Sequence, residues 1–205
     1  SALYNVPLVF YGENAAEYGN AIKDNEKPTM DMSFFERSVS VENLTLSGFP
    51  VADLIKQEKL TLADLNPYLP VPYADLQRVG TEVHYLGYYL RWDPQEMYYY
   101  AVEHCGFAAN TERTEGTYSK YNSLDDQIDP LHYYTTLIKF GIGRTTYDAA
   151  QEIRNRKIDR TEGIALVRRF DTEVPRKYLP SMLEYLGLSE DQFWDVIEKF
   201  RSPHL

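Results

Sequence analysis

The chain has 205 residues, 43% of them hydrophobic and 25% charged, which is enough to bury a sizeable core in one domain or slightly more. Its net charge of −10 argues against a general binder of nucleic acid or anionic membranes, and no apolar run approaches the ~20 residues that span a bilayer. The single cysteine, Cys105, excludes an internal disulfide and a multi-cysteine zinc site, and Ser1–Phe10 lacks the pattern of a secretory signal. We therefore expect a cytoplasmic protein without a membrane or nucleic-acid partner.

The first element in chain order is the apolar run Val6–Tyr11, closed by Gly12. This pattern predicts a strand that is buried on both faces of a parallel sheet. Because a domain rarely begins on such a strand, we expect that a further N-terminal part of the natural protein precedes Ser1.

Polar residues follow this strand in the segment GENAAEYG. Glu13 and Asn14 come at the carboxyl end of the strand, where open α/β sheets bind ligands, and Tyr18 follows in the same segment. These three residues are candidates for contacts with a nucleotide or a polar substrate. A turn followed by a helix with an acidic N-terminus explains the same pattern.

Residues 20–80 are rich in loops. They include a predicted helix at Val51–Gln57 and a shorter one that is capped by Thr61 and Asp64, after which several prolines break the chain. The second strand candidate is Glu82–Trp92. Asp93 and Glu96 then form the pattern of a reciprocal capping box for a helix that ends near Cys105. Trp92 and Asp93, at this strand-to-helix junction, are candidate substrate contacts.

After Pro130 the chain is predicted to be helical, because apolar residues recur at helical spacing between capping residues. The predicted helices are Leu131–Phe140, Tyr147–Arg156, one from Asp159 to near Phe170, Arg176–Leu186, and one capped by Ser189 and Gln192. The sequence thus predicts an α/β fold: about two strands, the remnant of a doubly wound parallel sheet, followed by a mostly α-helical region. The predicted domains are residues 1–110, with a loop-rich insertion at about 20–80, and residues 111–205.

An acidic cluster, DDQID, precedes the first of these helices. Clustered carboxylates bind Mg²⁺ through oxygen, so Asp125 and Asp126 are candidate metal ligands, with Asp129 one helical turn away. The pattern is short, however, and an acidic helix start is the more economical interpretation.

A second group of candidates lies in the sequence KFGIGR, which carries Lys139 and Arg144 around two glycines. The glycines permit close approach of the backbone, and the two cations could hold a phosphate or a carboxylate. The spacing matches neither a Walker A motif nor a dinucleotide fingerprint. A helix end at Gly141 with ordinary surface cations is the alternative.

The helix that follows carries Asp148, Glu152 and Arg154. Asp148 and Glu152 are four residues apart and share one face, and paired carboxylates can perform acid–base chemistry. A solvated face with an ion pair is the more common reason for such a pattern.

Together, several segments resemble the C-terminal half of the N-acetyl sugar amidotransferases, which belong to the PP-loop ATPase superfamily and act in the biosynthesis of lipopolysaccharide and other surface polysaccharides. The segments that carry the resemblance are VPLVFYGENAAEYG, LGYYLRWDPQE, RTEGTYSKYNSLDD, KFGIGRTTYDAAQEIRNRKIDRTEG and FWDVIEKFRSPHL. They occur in the family's order and extend over nearly the whole chain. Residues 20–80 are less distinctive.

The resemblance implies an enzyme that converts a sugar acetamido group to an acetamidino group. ATP, with Mg²⁺, would activate the amide oxygen by adenylation, and ammonia would then displace AMP. The ammonia would come from a separate glutaminase with a cyclase-like partner, and the substrate would be a nucleotide-linked N-acetyl sugar of an O-antigen or nonulosonic acid pathway.

The resemblance also implies roles for individual residues. Lys139 and Arg144 would hold the anionic adenylyl group, and Asp148 is the third candidate for the catalytic site. The segment from Arg113 to Tyr118 would contact the sugar nucleotide. The candidate substrate contacts in and after this segment are Arg113, Thr114, Glu115, Thr117, Glu152 and Arg154.

The chain departs from the family in one respect. The family's ATP-binding SGGxDS loop and its cysteine-rich segment lie in the N-terminal half, and neither motif occurs in these 205 residues. We therefore expect no activity from this part alone. Two other interpretations remain open: a PP-loop ATPase that acts on a different amide or on tRNA, and a non-catalytic helical module that docks a glutaminase or synthase partner.

Overall fold

The computed structural model describes residues 1–12, 26–32, 36–37, 40 and 43–205. The chain divides by packing into two compact units, Ser1–Trp92 and Asp93–Leu205. This division does not test the predicted domain boundary near residue 110, which stays a prediction. The candidate residues Glu13, Asn14 and Tyr18 lie outside the described residues.

The fold is mixed α/β, as predicted. The strands of the first unit are β1 (Leu8–Tyr11), β2 (Glu36–Arg37), β3 (Thr45–Leu46), β4 (Phe49–Pro50), β5 (Val71–Pro72) and β6 (Glu82–Tyr85). The α-helices among its described residues are α1 (Val51–Gln57), α2 (Leu62–Leu65) and α3 (Tyr73–Val79). The helices of the second unit are α4 (Pro94–Cys105), α5 (Asp129–Phe140), α6 (Arg144–Arg154), α7 (Arg160–Phe170), α8 (Leu179–Leu186) and α9 (Glu190–Phe200).

The predicted pairing of the two main strands is confirmed. Strands β1 and β6 are parallel neighbours with four residue pairs, from Leu8 opposite Glu82 to Tyr11 opposite Tyr85. The other pairs are β2 with β5, which is parallel, and β3 with β4, which is antiparallel. The sheet of β1 and β6 is therefore the two-stranded parallel element that the sequence predicted.

The prediction that the first strand is buried on both faces is wrong. Val9 packs on one face against the small core of Met30, Val83 and Tyr85. On the other face, Leu8 and Phe10 are each 48% exposed. Since successive side chains of a strand point to opposite faces, a core on one side covers only every second residue.

The second strand is shorter than the predicted Glu82–Trp92. It ends at Tyr85, where its register with β1 also ends, and the chain then turns into a 3₁₀ helix at Leu86–Tyr88. The helix after it begins as predicted, since an oxygen of Asp93 accepts a hydrogen bond from the backbone N–H of Glu96 at 3.2 Å. The reciprocal half of the capping box is absent there, because the Glu96 carboxylate instead binds Lys157 Nζ at 2.6 Å.

The main core of the second unit lies between α5, α8 and α9. Apolar residues at helical spacing face one another there, as the periodicity predicted. Its buried members are Leu131, Tyr134, Ile138, Leu179, Met182, Leu183, Phe193 and Ile197. The capping boxes of α2 and α9 are present as predicted, at Thr61 with Asp64 and at Ser189 with Gln192.

Three helices of this unit begin at other residues than predicted. Helix α5 starts at Asp129 instead of Leu131, α6 at Arg144 instead of Tyr147, and α8 at Leu179 instead of Arg176. No helix within the described ranges is both long enough and apolar enough to cross a membrane.

Candidate functional site

A pocket of about 160 Å³ lies in the second unit and brings together two groups of predicted site residues. Arg113, Thr114 and Glu115 form part of its wall, and the acidic pair Asp125 and Asp126 forms another part. The remaining lining residues are Asn110, Ser123, Leu124, Gln127, Pro130, Lys177 and Tyr178. The candidate substrate contacts and candidate metal ligands are thus neighbours in one concave, mostly polar site.

The wall of this pocket is fixed by an ion pair between Arg113 and Glu173. The guanidinium binds the carboxylate in bidentate fashion, with N–O distances of 2.6 and 2.7 Å. It also donates to the carbonyl of Thr117 at 3.1 Å and lies over the ring of Phe170. The backbone N–H of Gly116 donates to the same carboxylate at 2.9 Å. Glu173 therefore holds both Arg113 and the tip of the tight turn that follows it, where Gly116 has a φ of +84°.

Behind this turn, Asp148 lies at the centre of a second polar cluster. Its carboxylate accepts hydrogen bonds from Thr117 Oγ1 at 2.5 Å and from Asn122 Nδ2 at 3.2 Å. Thr117 is fully buried, so this bond anchors the loop of residues 113–123 to α6. Burial raises the pKa of Asp148, although Arg144 and the two donors oppose the rise.

Arg144 is shared between two carboxylates. Its Nε lies 3.2 Å from Asp148 Oδ1, and its Nη1 lies 3.3 Å from Asp129 Oδ2, which also accepts from Ser123. The guanidinium stacks over the ring of Tyr133 at 4.2 Å from its centroid. The guanidinium thus already has two anionic partners. Its predicted role in holding a ligand stays a prediction.

The N-terminus of α6 is capped by a residue from elsewhere in the chain. Asp171 is buried, and its carboxylate accepts from the backbone N–H groups of Gly143 at 3.1 Å and Thr146 at 2.9 Å, and from Thr146 Oγ1 at 2.7 Å. A Cβ on Gly143 would lie 2.7 Å from Asp171 Oδ1 and 2.9 Å from its carbonyl oxygen. The glycine therefore permits the close approach that places this cap, and the cap explains why α6 starts at Arg144.

Tyrosines extend the cluster from Asp148 toward α4. Tyr121 stacks on Tyr98 with ring centroids 4.5 Å apart and planes inclined by 13°. Burial and the nearby Glu152 and Asp148 carboxylates raise the pKa of Tyr121 to about 12, and burial with the same carboxylates raises that of Tyr118 as well. Both phenols are therefore neutral at physiological pH and could serve as hydrogen-bond donors.

The ionisation of Glu152 should make the stability of the fold depend on pH. Burial raises its pKa above the ordinary 4.5, and Asp93 and Asp148 raise it further. Because the folded pKa is raised, Glu152 favours the folded state at low pH, and this contribution is lost as the pH rises above 4.5. We expect Glu152→Gln to raise the melting temperature at pH 7 and to lose this advantage at a pH below 4. Thermal melting from pH 3.5 to 7.5 measures the effect, and an equal gain at both ends of the range would contradict it.

Lys139, Arg154 and Trp92 are not among the residues that line the pocket. Lys139 is exposed at the end of α5, over the rings of Phe140 and Phe200. Arg154 is exposed at the end of α6, and Trp92 is 59% exposed as the last residue of the first unit. The contacts of Lys139 are separate from those of Arg144, so these two predicted catalytic cations have no common partner among the described residues.

Asp93, also predicted as a substrate contact, is buried and in use as a helix cap. Its second oxygen lies 3.3 Å from Lys157 Nζ. Of the predicted metal ligands, Asp126 accepts the backbone N–H of Ile128 at 2.7 Å. Within the part of the chain that the structure describes, no three His, Cys, Asp or Glu side chains form a group that could hold a metal ion. The contact of Asp125 and Asp126 with Mg²⁺ stays a prediction.

The sequence did not identify Lys177, Tyr178, Glu173 or Asp171. Lys177 and Tyr178 lie in a stretch that the sequence assigned to a helix, and the structure places them at the pocket. The sequence contained one signal for Asp171. The residue before α6 is Gly143, which has no side chain that could cap the helix. The free N–H groups at the start of α6 therefore needed an acceptor from another part of the chain.

Residues 115–205 match the family model described as "LPS biosynthesis protein WbpG-like, C-terminal domain". The match includes Glu115, the acidic pair, Lys177 and the whole of α5 to α9, and it ends at the last residue of the chain. A search of curated proteins gave no match.

The family match supports a role in lipopolysaccharide biosynthesis for this part of the chain, and an enzyme of some kind. It covers most of the second unit and most of the residues that line the pocket. The reaction, the substrate and the partner proteins are not part of that description.

Proposed function

We propose that the chain is the C-terminal part of an ATP-dependent amidotransferase that converts an acetamido group of a nucleotide-linked sugar to an acetamidino group. The product would enter the biosynthesis of lipopolysaccharide O-antigen or of nonulosonic acids. The observation that carries the proposal is the coincidence of two findings. The segments that resemble the sugar amidotransferases include Arg113 to Asp126, and residues 115–205 match a lipopolysaccharide-biosynthesis family.

In this proposal ATP adenylates the acetamido oxygen and releases pyrophosphate, and ammonia from a partner glutaminase and cyclase-like subunit then displaces AMP to give the acetamidino group. The residues described above would bind and orient the sugar. Glu173 and Asp148 would hold the loop of residues 113–123 in place from behind. That loop would present Thr114 and Glu115 to the substrate from the pocket wall. Preorganised contacts of this kind raise the rate by fixing the reacting group.

Isothermal titration of the 205-residue chain with UDP-N-acetylglucosamine and, separately, with ATP tests the binding part of the proposal. We expect the sugar nucleotide to bind and ATP alone to give no heat of binding, because the family's ATP loop is not among these residues. A chain that binds ATP but no acetamido sugar nucleotide would overturn the proposal.

The chemistry requires the intact enzyme, supplied with ATP, ammonium and the sugar nucleotide. Release of AMP together with an amidino sugar, detected by mass spectrometry, is the expected result. Lys139→Ala and Arg144→Ala should each lower turnover, and unchanged turnover in both variants would remove these residues from the catalytic site.

A further inference from the structure

Of the two cations among the described residues that line the pocket, Arg113 is already paired with a carboxylate. Its guanidinium donates two hydrogen bonds to the Glu173 carboxylate and one to the carbonyl of Thr117. Hydrogen bonding to Glu173 raises the pKa of Arg113, in keeping with a strong pair. A ligand would have to break this pair, and with it the turn that shapes the wall, in order to use Arg113.

Lys177 is in a different situation. Its side chain is 45% exposed and lies over the ring of Tyr178, 5.3 Å from the centroid, and its ionic partner in the described residues is Glu112, which is 72% exposed and 3.3 Å away. Such a surface pair contributes little to stability, so little is lost when another anion replaces Glu112. The backbone of Lys177 is nevertheless fixed, because its N–H donates to Glu115 Oε2 at 2.9 Å. The pocket thus has a well-placed cation that is available to a ligand.

Asp125 offers a complementary acceptor. The hydrogen bonds and ion pairs of the described residues engage Asp126 but not Asp125, which is exposed at the pocket. A free carboxylate can accept two hydrogen bonds from neighbouring hydroxyl groups. The ring of Tyr178 lines the same pocket, and aromatic rings offer an apolar surface to the C–H face of a sugar.

We propose that this pocket binds a sugar phosphate, with the phosphate on Lys177 and the sugar hydroxyl groups on Asp125. The inference rests on the proposed function for the identity of the sugar. A volume of about 160 Å³ is below the roughly 300–1,000 Å³ of pockets that enclose a drug-sized ligand, so the pocket would hold the sugar ring and its attached phosphate, and the nucleotide part of a nucleotide sugar would extend outside it. The carboxylates of Glu115, Asp125 and Asp126 repel any phosphate, and the hydroxyl groups of a sugar, which inorganic phosphate lacks, offset this repulsion by donating to them.

Titration calorimetry with N-acetylglucosamine 1-phosphate, inorganic phosphate and N-acetylglucosamine tests the proposal on the 205-residue chain. We expect the sugar phosphate to bind more tightly than either fragment. Lys177→Ala should weaken its binding roughly ten-fold, since one charge-assisted contact is lost, and should leave N-acetylglucosamine unaffected. Asp125→Asn should weaken both sugars.

Matched controls separate these effects from changes in net charge. Arg176→Ala removes a neighbouring cation that does not line the pocket, and Asp195→Asn removes an exposed carboxylate on α9. Both should bind like the unmodified chain, and all four variants should keep its melting temperature. Equal weakening by Lys177→Ala and Arg176→Ala would overturn the proposal, as would inorganic phosphate that binds as tightly as the sugar phosphate.

Failure of this inference can be told apart from failure of the proposed function. If the sugar phosphate binds through Lys177 but the intact enzyme forms no amidino sugar, the pocket assignment stands and the reaction is wrong. If amidino sugar forms and its KM is unchanged in Lys177→Ala and Asp125→Asn, the reaction stands and the pocket assignment is wrong.

Discussion

Replacement of Asp171 by Ala is expected to lower the free energy of unfolding of the second unit by about 2–4 kcal/mol, the range for losing several hydrogen bonds to one buried charged cap. The substitution leaves the N–H groups of Gly143 and Thr146 and the hydroxyl of Thr146 without their acceptor. These groups lie at the first turn of α6, where no intrahelical acceptor exists. Urea denaturation at pH 7, followed by far-UV circular dichroism, measures the loss.

Two companion variants make this measurement specific. Asp171→Asn keeps one acceptor oxygen and should recover part of the stability. Asp195→Ala removes an exposed carboxylate and should change the stability by no more than about 0.5 kcal/mol. If Asp171→Ala lowers the free energy of unfolding by no more than Asp195→Ala does, the cap is dispensable.

Glu173→Ala is expected to cost about 1–3 kcal/mol, because it breaks a bidentate pair and frees the N–H of Gly116. The expected loss of stability is modest because the side chains of Arg113 and Glu173 are 36% and 31% exposed, and solvent screens the ion pair. We also expect weaker binding of any ligand in the pocket, since the wall loses its anchor. Thermal melting and titration calorimetry provide the two readouts.

The same variant predicts a pH dependence of defined sign. Hydrogen bonding to Arg113 lowers the pKa of Glu173 below the ordinary 4.5, so its contribution is present above pH 4.5 and is lost as the pH falls. The difference between the unmodified chain and Glu173→Ala should therefore shrink in acid. Glu112→Ala, which removes an exposed carboxylate beside the same pocket, is the control. A difference that stays constant down to pH 3 would contradict the assigned role of the pair.

The elements that could be predicted from the sequence are those that depend on short-range contacts. The caps at Thr61 and Ser189 each bond a residue three positions later, so both partners appear in one short segment. Helix α1 was predicted with its observed bounds, and the two main strands with their parallel pairing. The length of β6 was not, because a strand ends where its partner ends, and that partner is distant in sequence.

The sequence predicted individual residues of the candidate site but not their arrangement in one pocket. Arg113 and the acidic pair were selected separately, and the structure places them in one pocket. The sequence does not show which charged side chains already have an ionic partner in the folded chain. Arg113 is neutralised by a residue 60 positions away, whereas Lys177, which no motif distinguishes, is the more available cation. Whether a cation can bind a ligand depends on its tertiary contacts, and these contacts leave no local pattern in the sequence.

The long sequence separation of the pocket contacts has a kinetic consequence. Arg113 and Glu173 are 60 residues apart, and Glu115 and Lys177 are 62 apart. The helices between them can form from local contacts first, whereas these pairs require closure of a long loop. We therefore expect the pocket to assemble after the rate-limiting step of folding. In stopped-flow experiments Glu173→Ala should then accelerate unfolding and leave the folding rate nearly unchanged.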